Sequence, residues 1–427
     1  MNDHYEAPDE ARALEMLRIA EEKLKRQPYA YDKGVMRLKA LALLTLGRHE
    51  DARVQMSQIL QFYPYDYVTL TNLAGLCYNL GEDDAASHWI RRAVKAQYGN
   101  PKPATCLVRS YLELKNGDWR NGWFDYEARF ATRTSRQLGP HETLWDGKWL
   151  GPDKTLVLWG EQGAGDQIMV VRYVKDAKAK SGAYIKLAVP DSLERLFKPL
   201  ADEITHEVHA TDTHFPLFSL PRILNVKVED VRGEAYIFIP RRPSRAISKT
   251  DTSRMGRFGR SHIGICWRGA QDTPELRDRS MPEQYADRLF AVEGIKPVCL
   301  QYGERGFHPG DFFDTAVAIM KCDLVITIDT SVAHLAGAMG VPVWILLRYQ
   351  GSFHWLRDRT DTPWYDSAKL YRQPKLGDWE SVIQRVEEDL LQLACCGLSH
   401  AELPSRNRTG GEELAQEMGA ESNPKGK

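Results

Sequence analysis

The chain has 427 residues, enough for two or three domains that each bury a core of their own. Its 57 Lys and Arg nearly balance 58 Asp and Glu, so no overall field draws it to nucleic acid or an anionic membrane, and selectivity must come from local sites. Seven cysteines without paired ligand spacing read as reduced thiols, and no apolar run approaches the roughly 20 residues that span a bilayer, so a cytoplasmic protein is expected.

The first third is helical and repetitive. A helix around Ala11 to Lys25 precedes two segments in which Leu46-Gly47 and Leu80-Gly81 stand 34 residues apart, as do Ala52 and Ala86. That period is the tetratricopeptide repeat's. Glycine ends the first helix of such a unit, alanine lets the second pack closely, and a proline such as Pro64 closes it. A weaker third copy runs from Leu112 through Gly117 and Trp119 to Tyr126. An ordinary helical bundle is the competing reading. The helical domain is placed at 1–134 and a linker rich in Gly, Pro, Trp and charge at 135–154.

Strands and helices then alternate. Thr155–Gly160, Tyr184–Val189 and Tyr236–Ile239 read as strands, with helices near Gln167–Lys180 and Ser192–Leu200, giving a small α/β unit over 155–242. A basic hinge at 243–261 leads to a second series, 262–393. Its strands are expected at His262–Trp267, Pro297–Gln301, Leu324–Ile328 and Val341–Leu346, with helices near Glu283–Val292, Asp311–Lys321, Val332–Met339 and Glu380–Leu393. The alternation predicts a doubly wound parallel sheet. Residues 394–427 lose apolar periodicity and are expected to be a disordered tail.

Two strand-to-helix junctions carry candidate chemistry. After Ile328 the chain runs Asp329-Thr330-Ser331 into a helix, where backbone amides and two hydroxyls suit a diphosphate at the positive end of the helix dipole. His334 lies one turn in, either packed or touching a donor. At Gly163-Ala-Gly165-Asp166, a turn that glycine permits would hold the Asp166 carboxylate at the sheet rim, as a general base or as the N-cap of the next helix. Arg268 follows the first strand of the second half, and Arg279 comes soon after. Guanidinium groups there would offset leaving-group charge, or belong to a solvated loop. Helix capping alone accounts for Asp311 and Asp314. The segment Trp355 to Tyr365 is one wall of a cleft or plain packing.

A metal site finds little support. His206, His209 and His214 lack matching Cys or carboxylate spacing, and the two α/β units contain no Asp-x-Asp pair. Neither a Gly-x-Ser-x-Gly elbow nor a Walker signature occurs.

Taken together, Trp159 through Asp166, Cys266-Trp-Arg-Gly with Arg279-Ser280, Asp311 through Thr315, Asp323 through Gly340, and Trp364-Tyr365 before Arg372-Gln373 resemble bacterial tetratricopeptide-repeat glycosyltransferases related to the heptosyltransferase family. The likeness extends over about residues 35 to 393. It implies a GT-B architecture, a pair of Rossmann-like domains behind the helical repeats, with the acceptor on the first and a nucleotide-sugar donor on the second. It also implies Asp166 as base and Asp329, Thr330 and Ser331, with His334 close by, as the donor-phosphate contact; Gly165, Arg279 and Gln301 are further donor-binding candidates, and Arg268 a catalytic one. The family's lysine near the inter-domain cleft has no counterpart here, and Arg268 or Arg279 is the available substitute. The expected protein is a metal-independent, inverting glycosyltransferase needing no cofactor beyond its donor substrate, with a protein or glycan acceptor docked on the repeats and no nucleic-acid partner. Two rivals stand: a repeat scaffold with a relic GT-B part, and a nucleotide-sugar epimerase.

Overall fold

The structure, a computed structural model, describes residues 10–26, 31–132, 135, 137–239, 261–269 and 279–396. The expected hinge, save its last residue Ser261, lies outside the described residues, and so does the expected tail from 397 on. The chain forms two compact units, one of Met1–Ser135 with Gln350–Arg357, the other of Arg136–Tyr349 with Asp358–Lys427.

The first unit is built from helices α1 (Glu10–Leu24), α2 (Lys33–Thr45), α3 (His49–Phe62), α4 (Tyr67–Asn79), α5 (Asp83–Ala96), α6 (Pro103–Lys115), α7 (Trp119–Tyr126) and the short α8 (Ala128–Ala131). The 34-residue period is realised atom by atom. Gly47 and Gly81 take φ of +68° and +77° where helices stop, which only glycine adopts without strain. Ala52 and Ala86 are fully buried between helices. Asp32 and Asp66 both accept an amide three residues on, capping α2 and α4. The buried hydroxyls of Thr71 and Thr105, again 34 apart, meet at 2.9 Å.

A segment from far along the chain completes this unit. The Phe353 ring lies among Tyr111, Trp123 and Tyr126, nearly parallel to Tyr111 at 5.8 Å. The buried Lys115 ammonium bridges Asp83 at 2.8 Å and the Gln350 carbonyl at 2.6 Å, while Arg357 pairs with Asp84 at 2.9 Å. Leu356 and Asp358 hold φ of +52° and +54°, strain for side-chain-bearing residues that the surrounding contacts must sustain. The expected assignment of 350–357 to the C-terminal sheet domain is corrected accordingly. Trp355 is buried in the repeat unit, and Trp364 and Tyr365 are buried in the α/β unit.

The second unit holds two parallel sheets. In the first, β1 (Thr155–Trp159), β2 (Tyr184–Ala188), β3 (Glu203–Thr205) and β4 (Thr213–Pro216) lie in the order β3-β2-β1-β4. Helices α9 (Ala164–Val170), α10 (Val174–Ser181), α11 (Asp191–Phe197) and α12 (Leu220–Ile223) connect or follow them. The strand expected at Tyr236–Ile239 is absent. Instead Tyr236 and Ile237 donate their amides to the Ala338 carbonyl outside any sheet, and the places in the sheet go to β3 and β4. Residues 137–154, expected as a linker, cover the β4 edge: Leu144 bridges His214, and buried Trp145 donates its amide to the His214 carbonyl at 2.9 Å.

In the second sheet, β5 (Ser261–Cys266), β6 (Ile295–Cys299), β7 (Leu324–Ile328), β8 (Val343–Leu347) and β9 (Ala368–Arg372) run in the order β6-β5-β7-β8-β9. Helices α13 (Glu283–Phe290), α14 (Phe312–Ile319), α15 (Ser331–Ala338) and α16 (Trp379–Cys396) accompany them. Every residue of β7 and β8 is buried, as expected of central strands covered on both faces. Strand order reverses between β5 and β7 here and between β1 and β4 in the first sheet. Doubly wound sheets bind ligands at such switch points, beyond the carboxyl ends of the strands.

Candidate active site

The candidate residues cluster at those two places. The chain leaves β1 through Gly160 to Asp166 and leaves β7 through Asp329 to Ser331, and α9 packs on α15. Gly165 sets the spacing. A carbon added there would stand 2.9 Å from His334 Cδ2 and 3.1 Å from Ser331 Cα, so any larger residue would push the two helix starts apart. This corrects the expected reason for the Gly-x-Gly pattern. The left-handed residue of the turn is Gln162, at φ +64°, whereas Gly163 has φ −71° and Gly165 is helical.

Asp166 is not the N-cap of its helix. It sits three residues in and reaches back to accept the Gly163 amide at 2.9 Å. Burial raises its carboxyl above the ordinary 3.8; His334, Arg279 and the Gly163 amide oppose that, and Asp329 adds to it. The carboxylate therefore shares one electrostatic neighbourhood with the α15 junction.

At that junction Thr330 is extended, with φ −142° and ψ 175°, and its carbonyl accepts the Ala333 amide at 3.0 Å. The amides of Ser331 and Val332 come before Ala333, the first intrahelical donor. His334 is buried, with Nδ1 2.9 Å from the Tyr365 hydroxyl. Arg279 is half-buried and, among the described residues, its guanidinium makes no hydrogen bond or ion pair; its Nε is buried without a partner. A half-buried cation with an unsatisfied Nε has hydrogen-bonding capacity that an anionic ligand can use.

Two candidates sit differently from expectation. Arg268 follows β5 as anticipated, but its guanidinium is paired with the Glu304 carboxylate. The buried Gln301 spends its side-chain oxygen on the amides of Arg268 at 2.8 Å and Trp267 at 3.2 Å, so it shapes the loop after β5. Asp311 caps α14, and Arg195 bonds both Asp311 at 3.0 Å and Asp314 at 3.2 Å, joining α11 to α14. His206 lies beside Asp191 and Glu194, while His214 is interior, its Nδ1 accepting from Trp159 at 3.0 Å. Among the described residues no three His, Cys, Asp or Glu gather as metal ligands.

Sequence reasoning passed over Arg172. It is almost buried, donates to the carbonyls of Trp364 at 2.8 Å and Arg232 at 3.1 Å, and stacks over the Tyr236 ring at 4.3 Å. A lone arginine in the apolar run Ile168 to Tyr173 was the available signal, because such a cation must find partners inside.

Residues 2–121 match the family described as Psidin, N-terminal TPR repeats region. Protein FlbA of Caulobacter vibrioides is 25% identical over 362 residues, covering 74% of this chain; the chain spans 60% of that relative's length. The family 9 glycosyl transferase of Veillonella parvula aligns with a TM-score of 0.41 and 13% identity over 58% of this chain and 99% of that one. An O-GlcNAc transferase mutant of Thermobaculum terrenum aligns with a TM-score of 0.35 and 14% identity over 91% of this chain and 87% of that one. No helix among the described residues is long and apolar enough to cross a membrane. Repeats that match a TPR family thus stand ahead of two parallel sheets carrying a glycine turn and a helix-start junction.

Proposed function

We propose that the chain is a metal-independent glycosyltransferase that moves a sugar from a nucleotide-diphosphate sugar to a hydroxyl of a protein or glycan, with the repeats docking the acceptor. One observation carries this reading. The Asp166 carboxylate lies within electrostatic reach both of Asp329 and His334 at the start of α15 and of Arg279, whose Nε is buried without a hydrogen-bond partner among the described residues. A proton acceptor and an anion-binding helix start thus serve the same reaction.

In this mechanism Asp166 takes the acceptor's hydroxyl proton as the anomeric carbon becomes electron-poor. Its raised carboxyl makes it a better base than a solvated aspartate. The amides and hydroxyls at Thr330 and Ser331 hold the diphosphate, and Arg279 offsets the charge that grows as it leaves. Arg268 joins only if its pair with Glu304 opens. Direct displacement would invert the sugar carbon. The concave face that stacked repeats provide suits an extended acceptor segment.

Calorimetry of the full chain with UDP, ADP and GDP tests the donor site, and binding of none would leave a scaffold. Mass spectrometry of products with and without acceptors separates transfer from epimerisation. Asp166→Asn is expected to abolish transfer while nucleotide affinity stays within a few fold, and full activity in that variant would remove the base.

A further inference from the structure

Arg172 follows α9 on the first sheet's half of the α/β unit, yet it bonds across to the second half. It donates to the carbonyls of Trp364, on the second half, at 2.8 Å and of Arg232 at 3.1 Å. The guanidinium also stacks over Tyr236 at 4.3 Å, Tyr365 at 5.4 Å and Trp364 at 5.6 Å. Among the described residues it thus meets carbonyls and ring faces rather than a carboxylate, an arrangement that fixes direction at the expense of hydration.

Residues 232–237 belong in sequence to the first half but lie on the second. The Asp366 amide donates to the Gly233 carbonyl at 2.9 Å, and the two backbones are so close that a carbon at Gly233 would stand 2.6 Å from the Asp366 nitrogen. Three residues on, the amides of Tyr236 and Ile237 donate to the Ala338 carbonyl, at the end of α15, at 2.9 and 3.0 Å. The Tyr236 hydroxyl reaches back and donates to the Ile168 carbonyl of α9 at 2.8 Å. Gly165 sets α9 against α15 at their starts, and this segment ties them at their ends. A further tie, Arg195 to Asp311 and Asp314 with its guanidinium over the Phe313 ring at 4.6 Å, joins α11 to α14.

We infer that Arg172 and residues 232–237 form a latch that holds the two sheets as one body, with α9 and α15 at fixed spacing, so that the gap between Asp166 and the start of α15 exists before any ligand arrives and needs no closing movement of the halves. Arg172 is a positioning residue in this arrangement, acting through Tyr236 and the Trp364 carbonyl. The purpose of the latch rests on the donor-site reading, but its existence does not. A site whose parts already stand in place loses no affinity to a competent state that is only partly populated.

Pulsed spin-resonance distances in the full chain test the latch, with labels carried on p-acetylphenylalanine at exposed Tyr184 in the first sheet and exposed Tyr302 beyond the second. The ligand-free wild type is expected to give one narrow distance that UDP, ADP or GDP leaves in place. Gly233→Ala drives a carbon against Asp366, and Arg172→Met removes the guanidinium from the other side; each should add a second, separate population. Tyr236→Phe, which loses only the bond to Ile168, guards against misfolding of the other two and should broaden the distance. The apparent Kd for the diphosphates should rise by the reciprocal of the fraction that keeps the wild-type distance, about twofold for a half and tenfold for a tenth. Residues that only pack would lower the melting temperature and leave the distance single. A broad or two-peaked wild type, a wild-type distance moved by nucleotide, or variants that all keep the single wild-type distance overturn the latch. If the wild type binds none of the three diphosphates, the donor-site reading falls, while the distances still decide the latch.

Discussion

Glu113, on α6 of the repeat unit, should make that unit less stable as pH rises through neutrality. Burial, then the Asp125 carboxylate, outweigh Arg109 and raise its carboxyl from 4.5 to about 7. Arg109 Nε is 3.4 Å from it and also paired with Asp125. Below pH 4.5 the folded and unfolded chains are both protonated here, and the contribution is fully present. Between 4.5 and 7 the unfolded chain releases this proton first, so stability falls with rising pH, and above 7 both states are ionised and the contribution is gone. A change of that size corresponds to about 3 kcal/mol in all, of which roughly 2 kcal/mol falls between pH 5.5 and 8. Glu113→Gln, which carries no titrating proton, should therefore gain roughly 2 kcal/mol on the wild type between pH 5.5 and 8. Native-state amide exchange of α6 and α7 reads the stability of this region apart from the α/β unit, which a whole-chain melting curve cannot do for a multidomain protein. A constant difference between variant and wild type across that pH range would refute the reasoning.

Other perturbations address the site and the captured segment. Gly165→Ala places a carbon against Ser331 Cα and His334; overpacking there should destabilise the α/β unit by about 1–3 kcal/mol and weaken nucleoside diphosphate binding measured by calorimetry, and unchanged binding would mean the spacing of α9 and α15 is immaterial. Arg279→Met should lower the affinity for the same diphosphates by about tenfold or more, the value of a charge-assisted bond, whereas Arg268→Met, which removes a cation already paired with Glu304, should lower it less. Phe353→Ala empties the cage of Tyr111, Trp123 and Tyr126 and should cost the repeat unit about 3 kcal/mol. Faster exchange of the α6 and α7 amides would report it; exchange as slow as in the wild type would show that the segment adds nothing.

Local chemistry was legible wherever it repeats or alternates. The positive φ at Gly47 and Gly81 and the buried Ala52 and Ala86 follow from helices of fixed length that must stop and then pack, so a 34-residue period suffices to place them. The apolar runs of β1, β5, β7 and β8 mark strands covered on both faces, and the junctions at Asp166 and Asp329 lie where those runs stop. Short edge strands left weaker traces. β3 and β4 have three and four residues, too few for a period to register, and Tyr236–Ile239 looks like a strand but bonds a helix end instead.

Contacts between residues distant along the chain were decided by tertiary packing alone. The seating of Phe353 among repeat aromatics, the pairing of Arg268 with Glu304, the contact of the Tyr365 hydroxyl with His334 and the unsatisfied Arg279 Nε among the described residues depend on which surfaces the folded chain brings together. Gly165 shows the division most sharply: its identity is plain in the row of letters, but the need for it arises from a helix more than 160 positions away, whose backbone leaves no room for a side chain. Propensity and periodicity act over a few neighbouring residues, while exclusion of volume and pairing of charge act through space.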